Sequence, residues 1–217
     1  MNSFHFYLLT YMYIKSCQII VMSVYFHVNF NLNRERLAGV LSQLIENPDL
    51  NEEQIAKAFG FKAPFTKRYK SWLKKCGIIE NSVKVNLTDY GKIIYKKDRT
   101  LSKEQTLWYM HTFLCHSEDN AEAWNYFYHT YLPKNQSFTK EDLSEAISMK
   151  LMPHNPNHFK KNAPMIKVIT KVLIDSYISD TGFGPIGILT LKNGVFFNEQ
   201  KKTTYKWDDI ESFNKLY

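Results

Sequence analysis

The stretch PFTKRYKSWLKKCG, Pro64 to Gly77, constrains this chain more than any other. At about 100° per residue Phe65, Tyr69, Trp72, Leu73 and Cys76 share one face, which predicts an amphipathic helix with that face in a core. Proline suits the first helical position and glycine the stop. Lys67, Lys70, Ser71 and Lys74 fall opposite, flanked by Arg68 and Lys75, and no acidic residue lies between Lys62 and Ile79. A merely solvated face ordinarily mixes signs, because opposite charges three or four residues apart support the helix. A one-signed face predicts an anionic partner, or compensation from outside the helix.

The wider charge distribution agrees. The net charge is +7, yet residues 1–100 hold 15 Lys and Arg against 8 Asp and Glu, whereas residues 101–217 hold 13 against 13. A genome bias towards lysine codons accounts for there being only four arginines, but not for the difference between the halves. A concentrated positive field attracts a polyanion, most commonly nucleic acid.

The flanking pattern places the helix in a larger unit. Leu37, Val40, Leu41, Leu44 and Ile45 predict a helix over Arg34–Glu46, ended by Asn47-Pro48. A second starts at the N-cap Asn51, with Glu52 and Glu53 in its first turn, and closes at Gly60. After Gly77 come two β-like runs, Ile78–Glu80 and Val83–Leu87, joined by Asn81-Ser82. LTDYGKIIYKK then reads as a capped last turn or helix. Helix, helix, short turn, helix and hairpin is the order of a winged helix-turn-helix.

From Ser102 onward KEQTLWYMHTFLCH, AEAWNYFYHTYL, KEDLSEAISMK (capped by Thr139) and MIKVITKVLIDSYI predict helices, and GILTL-KNG-VFF predicts a terminal hairpin. Trp108 and Trp124 sit in apolar helical runs and are expected in a shared core. The expected fold is α+β, mainly α: a winged helix-turn-helix over 24–99, then a helical domain with a β-hairpin over 101–217. The first 22 residues carry one charge, Lys15, and lack both the basic leader and the cleavage site of a secretory signal. They read as upstream DNA translated by accident, with residues 1–21 a non-native or disordered extension and Met22 the natural start.

Signs of chemistry are weak. Cys17, Cys76 and Cys115 are odd in number and scattered, which fits a reducing cytoplasm. GFGPIG, Gly182 to Gly187, matches G-x-G-x-x-G but follows a helix and opens a strand, the reverse of a dinucleotide site, and reads as a flexible turn. His154 and His158 are separated by proline-broken chain. His111 and Cys115 have ligand spacing without further ligands, so a buried thiol is the plainer reading. No catalytic site, metal or cofactor is expected.

The segments YFHVNFNLNRERLAGVLSQL, KAPFTKRYKSWLKKCGII, LTDYGKIIYKKD, TLWYMHTFLCHSEDNAEAWNYFYH and FTKEDLSEAI, in that order, resemble a bacterial domain-of-unknown-function family, number four thousand and seven. Its opening His-x-x-Phe element is matched by His27 and Phe30. The resemblance covers roughly residues 24–180 and implies gene neighbours in DNA phosphorothioate modification and phage defence, including sulfurtransferases of the phosphoadenylylsulfate-reductase type. It carries over no catalytic residues.

Together these readings predict a cytoplasmic, non-enzymatic, membrane-free protein. Its expected role is to bind double-stranded DNA as an accessory or specificity subunit of a modification or phage-defence system, beside a sulfurtransferase or ATPase subunit. The expected DNA-binding residues are Lys62, Lys67, Arg68, Lys70, Ser71, Lys74, Lys75 and Lys84. A transcription regulator is the second reading, and an adaptor that binds protein rather than DNA the third.

Overall fold

The computed structural model describes residues 23–82 and 84–217, so the expectation about residues 1–21 and Met22 lies outside the described residues. The fold is mainly helical. Helix α1 (Arg34–Glu46) buries Leu37, Val40, Leu41 and Leu44, and is capped by the Asn33 side chain. A capping box between Asn51 and Gln54 opens α2 (Glu52–Ala58). Helix α3 (Pro64–Lys75) buries Phe65, Tyr69, Trp72 and Leu73, the predicted face. Helices α1 and α2 both pack on α3.

Among the described residues the predicted hairpin after α3 appears as one antiparallel bridge, Ile79 to Leu87, with the Glu80 amide donating to the Asn86 carbonyl at 2.9 Å. Ile78 and Ile79 are both buried against neighbouring elements, so tertiary packing rather than extended strand pairing fixes this run. The Thr88 amide donates to the Ile78 carbonyl as the second bond of that bridge, and the Thr88 hydroxyl binds back to the Gly77 carbonyl at the end of α3.

Thr88 caps α4 (Asp89–Lys97), which lies hard against that segment. A Cβ on Gly91 would stand 2.0 Å from the Ile78 carbonyl oxygen, closer than any real contact. Gly91→Ala is therefore expected to push α4 off its seat and cost at least about 1–3 kcal/mol. Thermal unfolding checks this, and an unchanged melting temperature would contradict it.

Helices α5 (Glu104–Cys115) and α6 (Glu118–Tyr126) pack together, and α6 runs on through a π turn over Phe127–Tyr131. Helix α7 (Lys140–Leu151) opens on the Thr139–Asp142 capping box, followed by the short α8 (Pro156–Phe159) and the apolar α9 (Pro164–Ile178). The terminal hairpin is present as β2 (Leu189–Lys192) and β3 (Val195–Asn198). Asn193 and Gly194 both take positive φ, 50° and 79°, as a two-residue turn of the favoured hand requires. A two-residue strand that the sequence did not announce, β1 (Ser137–Phe138), pairs antiparallel with β3, giving the order β1-β3-β2. Gly184–Ile186 form a 3-10 turn with Phe183 and Ile186 buried, a packed element rather than a flexible one. A last short helix is α10 (Ile210–Asn214).

One buried cluster runs from Val24 to Phe213 and includes both Trp108 and Trp124. Arg34, at the start of α1, joins the two halves. Its guanidinium donates to the carbonyls of Gly182 (3.0 Å), Leu101 (3.3 Å) and Asp180, while its amide donates to the Thr181 carbonyl at 2.8 Å. Among the described residues no helix is long and apolar enough to cross a membrane.

Candidate nucleic-acid interface

The orientation of α3 is set from its buried side. Trp72 is fully buried, donates its indole N–H to the Phe30 carbonyl at 3.0 Å, and meets the rings of Phe26 and Trp124 edge-on at 4.8 and 5.5 Å. Tyr69 donates its hydroxyl to the Asn31 carbonyl at 3.4 Å. These contacts bring the segment from Tyr25 to Asn31 alongside the helix, so the opposite face of α3 acquires a wall.

That face is concave. Lys67, Arg68, Ser71, Lys74 and Lys75 line one pocket of about 410 Å³, together with Tyr25, Phe26, Asn81 and Asn120. No acidic side chain lines it. Three polar ties hold its walls: Arg68 donates to the Phe26 carbonyl (3.4 Å), Lys74 to the Ser82 carbonyl (3.2 Å), and the Asn120 amide to the Lys75 carbonyl (2.9 Å). Five of the eight predicted residues thus converge. Lys62 and Lys84 are exposed and lie outside this lining. Lys70 turns to α2, where its ammonium pairs with Glu52 at 3.0 Å. Glu52 is the compensation from outside the helix that the one-signed face called for, and it neutralises only one of the cations.

The electrostatics follow from burial. Desolvation lowers the Lys75 pKa to about 8, against the opposing pull of the Asp119 carboxylate, and its ammonium stands 5.8 Å from the centre of the Phe26 ring. Among the described residues it has no protein acceptor. Desolvation raises the Tyr25 phenol, while the Arg68 charge lowers it. Behind the wall His27 is buried among Tyr25, Phe26, Trp72 and Trp124, and its pKa is lowered to about 3 by burial, so it is neutral there.

Tyr25, Phe26 and Asn120 belong to this site and the helix pattern did not reveal them. They reach α3 from about 40 residues before and after it, and helical periodicity carries no signal at that distance.

The other sequence constellations are packed interior or surface. His111 Nε2 meets the Tyr177 hydroxyl at 2.9 Å, and Cys115 Sγ lies 3.6 Å from each, all fully buried. Burial lowers His111 to about 3 and raises Cys115 to about 12, so neither is charged near neutrality. His154 Nε2 lies 2.9 Å from both carboxylate oxygens of Glu122. Among the described residues no group of three or more His, Cys, Asp or Glu could hold a metal ion.

The family described as "Protein of unknown function (DUF4007)" matches residues 25–185, a span that contains α1 to α9 and every residue lining the pocket. No curated protein and no solved structure matches the chain. The match covers most of the sequence, and the chain belongs to that family.

Proposed function

We propose that this member of the family is a cytoplasmic DNA-binding protein, an accessory or specificity subunit of a DNA-modification or phage-defence system. In this reading α1, α2 and α3 act as a helix-turn-helix, with the bridge-tied loop over Ile79–Leu87 in the place of a wing. A modification enzyme of the sulfurtransferase class, or an ATPase subunit, acts beside it and supplies the chemistry. The observation that carries the proposal is the convergence of Lys67, Arg68, Lys74 and Lys75 on one concavity with no acidic lining. Such a site is costly to hold empty of anions, and phosphates are the anions that lysine serves best as a point charge.

Fluorescence anisotropy with labelled DNA over a range of salt concentrations tests this reading. The expected slope of log affinity against log salt is steep, about −0.9 for each phosphate contacted. Salt-independent association with a protein partner, and none with DNA, would instead support the adaptor.

A pH dependence is also expected. Lys75 is mostly charged at about pH 7 and mostly neutral at about pH 9, because its pKa is about 8. The groups facing it are Lys74 and Arg68 on α3, Tyr25 from the preceding segment and Asp119 on α6. Raising the pH through that range should weaken DNA binding and shrink the salt slope by about 0.9, one lost contact. Binding that is constant across that interval in wild type would contradict the assignment of Lys75 to a phosphate. The same shift acts on stability in the opposite direction. The folded pKa lies below the ordinary lysine value of 10.5, so the unfolded chain binds more protons between about pH 8 and that value, and stability rises with pH there.

A further inference from the structure

A helix that reads a major groove stands proud of its domain, because the groove admits the whole helix. The outward face of α3 also carries a pocket along it. Tyr25, Phe26, Asn81 and Asn120 complete its lining, and the ties from Arg68, Lys74 and Asn120 fix their segments to the helix. A concave site receives a group that projects.

Resting on the reading that the chain binds DNA, we propose that this pocket receives a single unpaired nucleotide of DNA, its base against the Tyr25 ring and its phosphate on Lys75. The target is then a duplex carrying an extrahelical or single-stranded position. The volume of about 410 Å³ is ample for one nucleotide. Every base has a π face, and stacking on an aromatic side chain tolerates any sequence. Tyr25 is the partly exposed ring of the lining, whereas Phe26 is buried and serves as backing. Asn120 spends its amide N–H groups on the carbonyls of Lys75, Phe113 and Leu114, which leaves its side-chain oxygen as an acceptor for a base edge. Lys67 is exposed at the rim, placed for a neighbouring phosphate. Unstacking a nucleotide costs energy, least where it is already unpaired, so such sites favour bulges, flaps and single strands.

The test uses the full chain and three labelled DNAs of equal length: a perfect duplex, the same duplex with one bulged 2-aminopurine, and a single strand containing 2-aminopurine. The proposal expects the bulged and single-stranded probes to bind about tenfold more tightly than the duplex, with 2-aminopurine fluorescence quenched on binding. Tyr25→Leu should remove that preference, bringing the bulged and single-stranded probes to the affinity of the perfect duplex. Tyr25→Phe, which keeps the ring, should retain it, and melting curves of both variants separate a stacking effect from a folding defect. Equal affinity for bulged and perfect duplex, without quenching, overturns the unpaired-nucleotide proposal and leaves duplex binding standing. Failure to bind any of the three overturns the DNA reading itself.

Discussion

Trp72→Ala is expected to destabilise the fold by about 3–5 kcal/mol, the cost of a large buried aromatic removed from a packed core. Trp72 has no exposed surface and joins three segments that are distant in sequence. It contacts Phe26 before α1, Trp124 on α6, and through its indole N–H the Phe30 carbonyl. Truncation leaves a cavity at that junction and strips the Phe30 carbonyl of its donor. Domains of this size are stable by only about 5–15 kcal/mol, so this one change consumes a large share of the total. Trp72→Phe keeps a ring in place and should cost markedly less. Urea unfolding followed by far-ultraviolet circular dichroism measures both. A loss below about 1 kcal/mol for the alanine variant would mean that the junction is not a core. The same variant should also weaken DNA binding, because Phe26, which backs the pocket, is seated on the Trp72 ring.

The helices were legible in the sequence because each carries its own local signal. Arg34–Glu46 and Pro64–Lys75 have apolar residues at helical spacing and definite ends, and the structure begins and ends them there. Asn51 and Thr139 announce their helices as N-caps and make the expected bonds. The hairpin over Leu189–Asn198 was readable from Asn193-Gly194, a turn that dictates its own geometry. What failed to show was non-local. β1 is too short for a pattern and exists because β3 offers it an edge. The Ile78–Leu87 segment had strand-like composition, but α4 packs closely against it at Gly91, a contact that no local pattern announces. The site divides in the same way. The cations of α3 were visible as a one-signed face, whereas the walls contributed by Tyr25, Phe26 and Asn120 depend on how distant segments pack. Lys70 looked equivalent to its neighbours until Glu52 arrived from α2. Charge spacing along one helix cannot tell which lysine a second helix will claim.

That distinction selects the residues for the decisive measurement. Lys70 and Lys74 hold parts of the fold, through Glu52 and the Ser82 carbonyl, so neutralising them confounds binding with structure. Lys67 and Lys75 line the pocket and make no side-chain hydrogen bond or ion pair to the protein among the described residues. Changing both to glutamine should leave helicity and melting temperature unchanged, or raise the latter slightly as like charges separate. DNA affinity at about 0.15 M salt should fall by more than tenfold, and the salt slope should shrink by about 0.9 for each of the two lost contacts. The measurement is anisotropy of one labelled DNA against wild type and the double variant across several salt concentrations. A reduced slope with an intact fold is the result this account predicts. Wild-type affinity and wild-type slope in the double variant would contradict it, and would make the basic face of α3 a solvated surface.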